Sequence, residues 1–288
     1  MTPPGADQEA VAAAAARIAR SAKYRGVHPE TIAHVVEQEA SAGGTGPVEH
    51  RARVRLHRVA ALHLLSGRTA VLRREVARLP TGDPQALKAG CRAVLARHVS
   101  TAERLADLDD FYPALLSVLP APDTVVDIAC ALNVLTVPWL LETCDATYTG
   151  YDLNADFVEI GNAFLAMVHP QGWVVHHDVV AQGPPPRADL ALLLKTYHCL
   201  EDRRRGSGLR LVETVDARHV AVSFPTRAMN GRPAVFAPPM REELERLADR
   251  RGWSVDRVRL STEELVVLGR SPQDMSSPEA LPTRAHQG

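Results

Sequence analysis

The chain changes its hydrophobic texture part-way along. From about residue 8 to residue 118, Ala, Leu, Val and Arg recur at three- and four-residue spacings with almost no alternation. That is the period of amphipathic helices. The period breaks at Gly26-Val27-His28-Pro29, in the run Gly43-Gly44-Thr45-Gly46-Pro47, and at Pro80-Thr81-Gly82-Asp83-Pro84, all of which carry turn chemistry. Asp83 and Ser100 stand where helix N-caps belong, and Ser100-Thr101-Ala102-Glu103 fits a capping box. A helix bundle is therefore predicted for the front of the chain. After Pro120-Ala121-Pro122 the texture turns to short apolar runs, at 124–129, 146–151, 173–176, 188–193, 219–223, 254–259 and 265–269, separated by helical stretches. Strands alternating with helices predict an α/β fold with a mostly parallel sheet. The last two runs follow a helical 241–251 and predict an antiparallel pair. From Pro272 onward no period survives, and a disordered tail is expected over 272–288.

Composition adds little until it is divided along the chain. A formal net charge of −1 and 45% hydrophobic residues describe an ordinary globular protein of 288 residues. Residues 1–104, however, hold 16 Lys and Arg against 9 Asp and Glu, leaving 17 against 25 for the rest. A basic front on an acidic remainder suggests that the front meets a polyanion, although solvated helix faces give the same balance. The N-terminal VAAAAARIAR carries Arg17 and Arg20, follows Asp7 and Glu9, and shows no cleavage pattern, which argues against a signal peptide. The densest apolar run, 190–194, is the length of one buried strand and far short of the roughly 18 residues of a membrane span. A cytoplasmic protein with no membrane contact is expected, and a monomer. Cys91, Cys130, Cys144 and Cys199 make no C-x-x-C pair and read as buried thiols. His176-His177-Asp178 is a poor metal site, because neighbours on a strand point to opposite faces.

Candidate chemistry gathers at the strand ends. The first strand carries Asp127 and leads through Ala129, Cys130-Ala131-Leu132-Asn133 into a helix containing Pro138-Trp139, the turn where a nucleotide-like cofactor lies in a doubly wound sheet. The second strand ends in Tyr151-Asp152, about 20 residues later, where a carboxylate can accept hydrogen bonds from ribose hydroxyls. Asp178 follows the third strand and Lys195 the fourth; each, taken alone, is equally a solvated strand end.

These residues, with His98-Val99-Ser100-Thr101-Ala102-Glu103-Arg104-Leu105, Leu108-Asp109-Asp110-Phe111-Tyr112, Leu193-Leu194-Lys195 and Val222-Ser223-Phe224-Pro225-Thr226-Arg227 with Gly231 following, resemble the aminoglycoside-resistance 16S rRNA (guanine(1405)-N(7))-methyltransferases. The resemblance runs from Ser21-Ala22-Lys23-Tyr24 through Arg55-Leu56-His57 to Glu264-Leu265-Val266. It implies a Rossmann-like class I methyltransferase domain over 106–271 that uses S-adenosyl-L-methionine (SAM), preceded by a helical ribosome-docking domain over 1–105. It also implies that Arg104 binds the SAM carboxylate, for which a guanidinium is suited because it can pair with both oxygens. Asp152 would bind the ribose and Asp178 would lie beside the adenine. Asp127, Ala129, Ala131, Asn133, Leu153, Val179 and Leu194 complete the implied cofactor set, and Lys195 and Phe224 the implied reaction centre. The implied partner is 16S rRNA within the 30S subunit, with the front arginines on its phosphates.

The implied reaction needs no catalytic base. Guanine N7 has an in-plane lone pair and no proton to lose, so transfer depends on alignment. Phe224, Trp139 or Tyr197 is expected to offer an aromatic face to the base, with core packing as the plainer role of each. The family's cofactor turn has Gly where this chain has Ala131, and Asn-Pro where it has Asn133-Val134. If Ala131 takes positive φ, a strain of about 1 kcal/mol is expected there; Ala129, where a small residue is kept, should be the milder change. A methyltransferase with another RNA or a small-molecule acceptor, and a non-catalytic ribosome-binding relative, stay open as alternatives.

Overall fold

The computed structural model describes residues 4–60, 69–227 and 233–271. Gly231 and the expected tail from 272 lie outside them. The helices are α1 (Pro4–Ala19), α2 (Pro29–Ser41), α3 (Val48–Ala60), α4 (Thr69–Val76), α5 (Pro84–Leu95), α6 (Val99–Ala102), α7 (Leu108–Leu116), α8 (Val137–Leu141), α9 (Ala155–Val168), α10 (Tyr197–Arg203), α11 (Ser207–Thr214) and α12 (Ala237–Arg251). The strands are β1 (Thr124–Ile128), β2 (Thr147–Asp152), β3 (Trp173–His176), β4 (Ala188–Leu194), β5 (Ala217–Pro225), β6 (Ser254–Arg259) and β7 (Glu263–Gly269). All seven predicted runs are strands.

The sheet order is β3-β2-β1-β4-β5-β7-β6. β1 to β5 are parallel, and β7 runs antiparallel to both β5 and β6. Burial explains which sequences took which place. β4 lies between β1 and β5 with helices over both faces, and its continuous run of Ala and Leu is buried almost throughout. β6, at the edge, buries only Val258 and exposes charged side chains that discourage pairing with another chain. The chain leaves β1 in one direction toward β2 and β3, then returns to β4 on the other side. This reversal makes a switch point at the carboxyl ends of β1 and β4, where such sheets hold their ligands.

Three hydrophobic clusters hold the elements. Ile18, Tyr24, Val27, Ile32, Val35, Val36, Ala52 and Leu56 form a core within α1–α3. Leu72, Val76, Cys91 and Leu95, from α4 and α5, instead join Phe111, Leu115, Val125, Leu190 and Leu192 in a core on one face of the sheet. In packing terms the front region therefore divides after α3 and not at residue 105, because α4 and α5 spend their apolar stripes on the sheet. The opposite face is covered by α10, α11 and α12 through Leu200, Leu211, Val212, Leu244 and Leu247. The α1–α3 unit is stitched to the turn after β2: the His28 N–H donates to the Leu153 carbonyl at 2.8 Å and the Ala155 N–H to the Gly26 carbonyl at 2.7 Å.

Asp83 caps α5, accepting from the Gln85 N–H at 2.9 Å with Pro84 in the first turn. The capping box at Ser100 does not form. α6 already begins at Val99, the Ser100 hydroxyl bonds His98 Nδ1, and Glu103 turns to Lys195. Among the described residues no helix is long and apolar enough to cross a membrane, and no cluster of potential metal ligands occurs.

Candidate functional site

The carboxyl ends of β1 and β4 concentrate backbone strain. Ala129 has φ 57°, Ala131 φ 44° and Lys195 φ 56°, the only non-glycine residues among those described in the left-handed region. Each side chain in that conformation costs on the order of 1 kcal/mol or more, and such residues persist where the surroundings over-determine them. Ala131 thus takes the positive φ expected of it. Ala129 is not the milder change; it is in the left-handed region as well.

What holds the turn is visible in its hydrogen bonds. Asp152, at the end of β2, accepts from the Ala131 N–H at 2.9 Å through one carboxylate oxygen and from the Asn154 N–H at 2.8 Å through the other. Burial pushes its carboxyl up to about 6, against the pull of those two amides. Each of its oxygens keeps a further lone pair for a ligand.

A buried polar chain runs beneath the turn. Asp127 accepts from Asn133 Nδ2 at 2.7 Å and from the Tyr148 hydroxyl at 2.8 Å. Burial raises the Asp127 carboxyl to about 6 as well, with Asn133, Tyr148 and Arg104 opposing it. The Asn133 amide oxygen accepts from Arg104 Nη1 at 2.7 Å, and Arg104 grips both oxygens of Glu263, its Nη2 donating at 2.9 Å. Arg104, 3% exposed, also lies over the Phe111 ring, 4.7 Å from its centroid. Burial alone would lower the proton affinity of Arg104, but Glu263 holds it above the ordinary guanidinium range. Glu263 is correspondingly held low despite burial. Three of the five N–H donors of Arg104 are engaged in this way.

Lys195 closes the other side. Its N–H donates to the Ser223 hydroxyl at 3.0 Å, and its ammonium donates to Glu103 at 2.7 Å and to the Ser100 carbonyl at 3.4 Å. The turn of Arg104, the turn of Ala131 and the strand end of Lys195 thus meet along one edge. Leu194, just before Lys195, is buried in the sheet core, and Leu153 is partly buried against the α1–α3 core.

Asp178 stands apart from this group. It accepts two hydrogen bonds from Arg203, one from the Thr31 hydroxyl of α2, and one each from the N–H groups of Val180 at 2.9 Å and Ala181 at 3.3 Å. A carboxylate has about four acceptor sites, and these partners fill them. Burial acts to raise the Asp178 carboxyl, yet Arg203 holds it below the usual range. In this arrangement Asp178 ties α2 to α10 and has nothing left to offer an adenine. Its neighbour Val179 is partly buried on the face covered by α10–α12.

The expected aromatic face is also closed. Phe224 is 1% exposed and packs edge-on against Tyr197 at 5.7 Å; Tyr197 donates its hydroxyl to Glu243; Trp139 is buried with its indole N–H on Asp109. All three serve the core here. Glu263, Thr31, Arg203 and Tyr148 were not singled out from the sequence, and Glu103 was read there only as a helix cap. For Glu263 there was a usable signal: a buried Arg demands a carboxylate, and Glu263-Glu264 opens the last apolar run.

A 16S rRNA (guanine(1405)-N(7))-methyltransferase of Frankia casuarinae is 31% identical over 274 residues, 93% of this chain and 96% of that protein. One from Micromonospora rosea is 30% identical over 259 residues, 87% of this chain and 93% of that protein. The crystal structure of the 16S rRNA methyltransferase RmtF in complex with S-adenosyl-L-homocysteine superposes with a TM-score of 0.73 at 26% identity, covering 91% of this chain and 99% of that one. The family model described as ribosomal RNA methyltransferase (FmrO) matches residues 20–268, from the end of the first helix to the last strand. The chain belongs to the ribosomal RNA methyltransferase (FmrO) family.

Proposed function

We propose that this enzyme transfers the methyl group of SAM to N7 of the decoding-site guanine named in its relatives, guanine 1405 of 16S rRNA, within the 30S subunit, and so protects ribosomes in the cytoplasm from aminoglycosides. The observation that carries the reading is the strained turn at Ala129 and Ala131, clamped by Asp152 and flanked by Arg104, at the switch point of the sheet. The donor set suits SAM. Asp152 presents carboxylate lone pairs to ribose hydroxyls, and Arg104 retains two N–H donors beyond Glu263 and Asn133 for a carboxylate.

When bound, SAM supplies an electrophilic methyl group on a sulfonium. Guanine N7 carries an in-plane lone pair and no proton, so the transfer would ask no residue to act as a base, and the protein's part is alignment. Glu263 and Asn133 fix the plane of the Arg104 guanidinium. Asp152 fixes the Ala131 amide, and through it the turn that would hold the methionine part of SAM. Lys195, tethered to Glu103, keeps a cation at the mouth beside the incoming nucleotide. The helical region ahead of the sheet, expected over 1–105, docks on rRNA.

Transfer of labelled methyl from SAM to purified, unmethylated 30S subunits, with primer extension to locate the modified base, tests the reading. A stop at the decoding-site guanine is expected. Modification elsewhere, or of free RNA alone, would assign the enzyme another target.

A further inference from the structure

Arg203-Arg204-Arg205 is a basic run on the acidic part of the chain, and its three members face different ways. Arg203 is buried, paired with Asp178, and its carbonyl accepts from Arg55 of α3 at 2.8 Å. The run is therefore rooted at the seam between α1–α3 and the sheet. Arg204 and Arg205 are exposed, as is Arg210 on α11, and among the described residues none of the three is ion-paired to a carboxylate. That sets them apart from their surroundings: Arg17, Arg51, Arg53 and Arg55 are paired with Glu39 or Glu49, and Arg251 with Glu213.

One neighbouring carboxylate is turned elsewhere. Glu201 accepts from the N–H groups of Gly206 at 2.7 Å and Gly208 at 2.8 Å, capping the start of α11. Beside the arginines opens a cleft of about 680 Å3 between residues 179–184 and α11, with Arg204, Arg205 and Arg210 on its wall. At the seam, His34 of α2 lies near enough to Arg203 and Arg204 for both cations to lower its proton affinity, after the effect of its own burial.

We propose that Arg204, Arg205 and Arg210 form a phosphate-docking surface for the 16S rRNA backbone that carries the footprint of α1–α3 across the seam onto the methyltransferase domain. This rests on the ribosomal substrate proposed above. The contacts are to phosphates and carry no sequence information; they fix how the sheet, and so the cofactor edge, is oriented on the subunit. The bidentate root of Arg203 on Asp178 keeps the pair in place and reduces the ordering cost of docking.

The test compares the full-length protein with Arg204→Glu/Arg205→Glu and with a charge-matched control on α12, Arg246→Glu/Arg250→Glu, in binding to purified unmethylated 30S subunits at two salt concentrations. The seam variant should bind roughly tenfold or more weakly, with a salt dependence shallower by about 1–2 in the log–log slope, the loss of one or two phosphate contacts. Arg204→Gln/Arg205→Gln should fall between it and the unaltered protein, and S-adenosyl-L-homocysteine affinity should stay unchanged in all. Unaltered 30S binding by the seam variant, or a loss no greater than the control's, overturns the surface alone. No 30S binding by the unaltered protein overturns both the surface and the functional reading beneath it.

Discussion

At the scale of single residues, the site depends on groups whose ordinary chemistry has been displaced. Asp152 has a folded carboxyl near 6, above the usual carboxylate value of about 3.9. In its proposed role Asp152 accepts from ribose hydroxyls in its ionised form, so S-adenosyl-L-homocysteine affinity should decline as pH falls through about 6, and calorimetry from pH 8 to pH 5 reads this directly. The sign for stability is opposite. A raised carboxyl favours folding while protonated, so its contribution is complete below about pH 4 and is lost as pH rises through 6. Asp152→Asn should remove the pH dependence of binding between 7 and 5 and weaken affinity at neutral pH. At Ala131, replacement by glycine relieves the left-handed strain; we expect about 1 kcal/mol of added stability, a Tm rise of roughly 2–4 °C by calorimetry. A drop in Tm would mean that the Ala131 methyl contributes more packing than its backbone costs. Asp152 was legible in the sequence because it ends an apolar run at a fixed distance from a turn. The partners of Asp178 were not, because Thr31 stands 147 residues away and a hydroxyl on a helix announces nothing.

Among the elements, the strands were the legible part. Central strands buried on both faces must be apolar throughout, and β4 shows this as five consecutive residues from Leu190 to Leu194. The ends were harder, since β5 extends at both ends beyond its predicted run, to Ala217 and Pro225, where Arg218 and Pro225 interrupt the strand pattern. α6 was misread for a related reason: Glu103, positioned to return to Ser100, finds a stronger partner in Lys195 from the end of β4. The junction of α2 with α10 offers a sharper test. Arg203→Met leaves the Asp178 carboxylate buried without its cation, and urea unfolding should show a loss of about 3–5 kcal/mol. Arg203→Met with Asp178→Leu should recover much of it. A single variant as stable as the unaltered protein would show that the Asp178 carboxylate is reached by water or neutralised otherwise.

For the whole molecule, charge asymmetry was the most visible property and the most easily overread. The excess of cations in residues 1–104 is partly consumed inside the helical unit by Glu39 and Glu49. Reversing the exposed Arg20 and Arg25 should therefore weaken 30S binding more than reversing Arg17 and Arg53, measured at one salt concentration; equal losses would show that the internal pairs open on docking. Chain order adds a constraint of a different kind. Arg104 precedes the first strand, whereas its counter-ion Glu263 opens β7, which is threaded between β5 and β6. Synthesis delivers the chain from its N-terminus, so the guanidinium waits for nearly the whole polypeptide before it gains a partner. A ribosome stalled before residue 263 has made the turn, the clamp and the helices α1–α3 but not the carboxylate that sets Arg104. Completion of the site is thereby tied to translation of this message almost to its end.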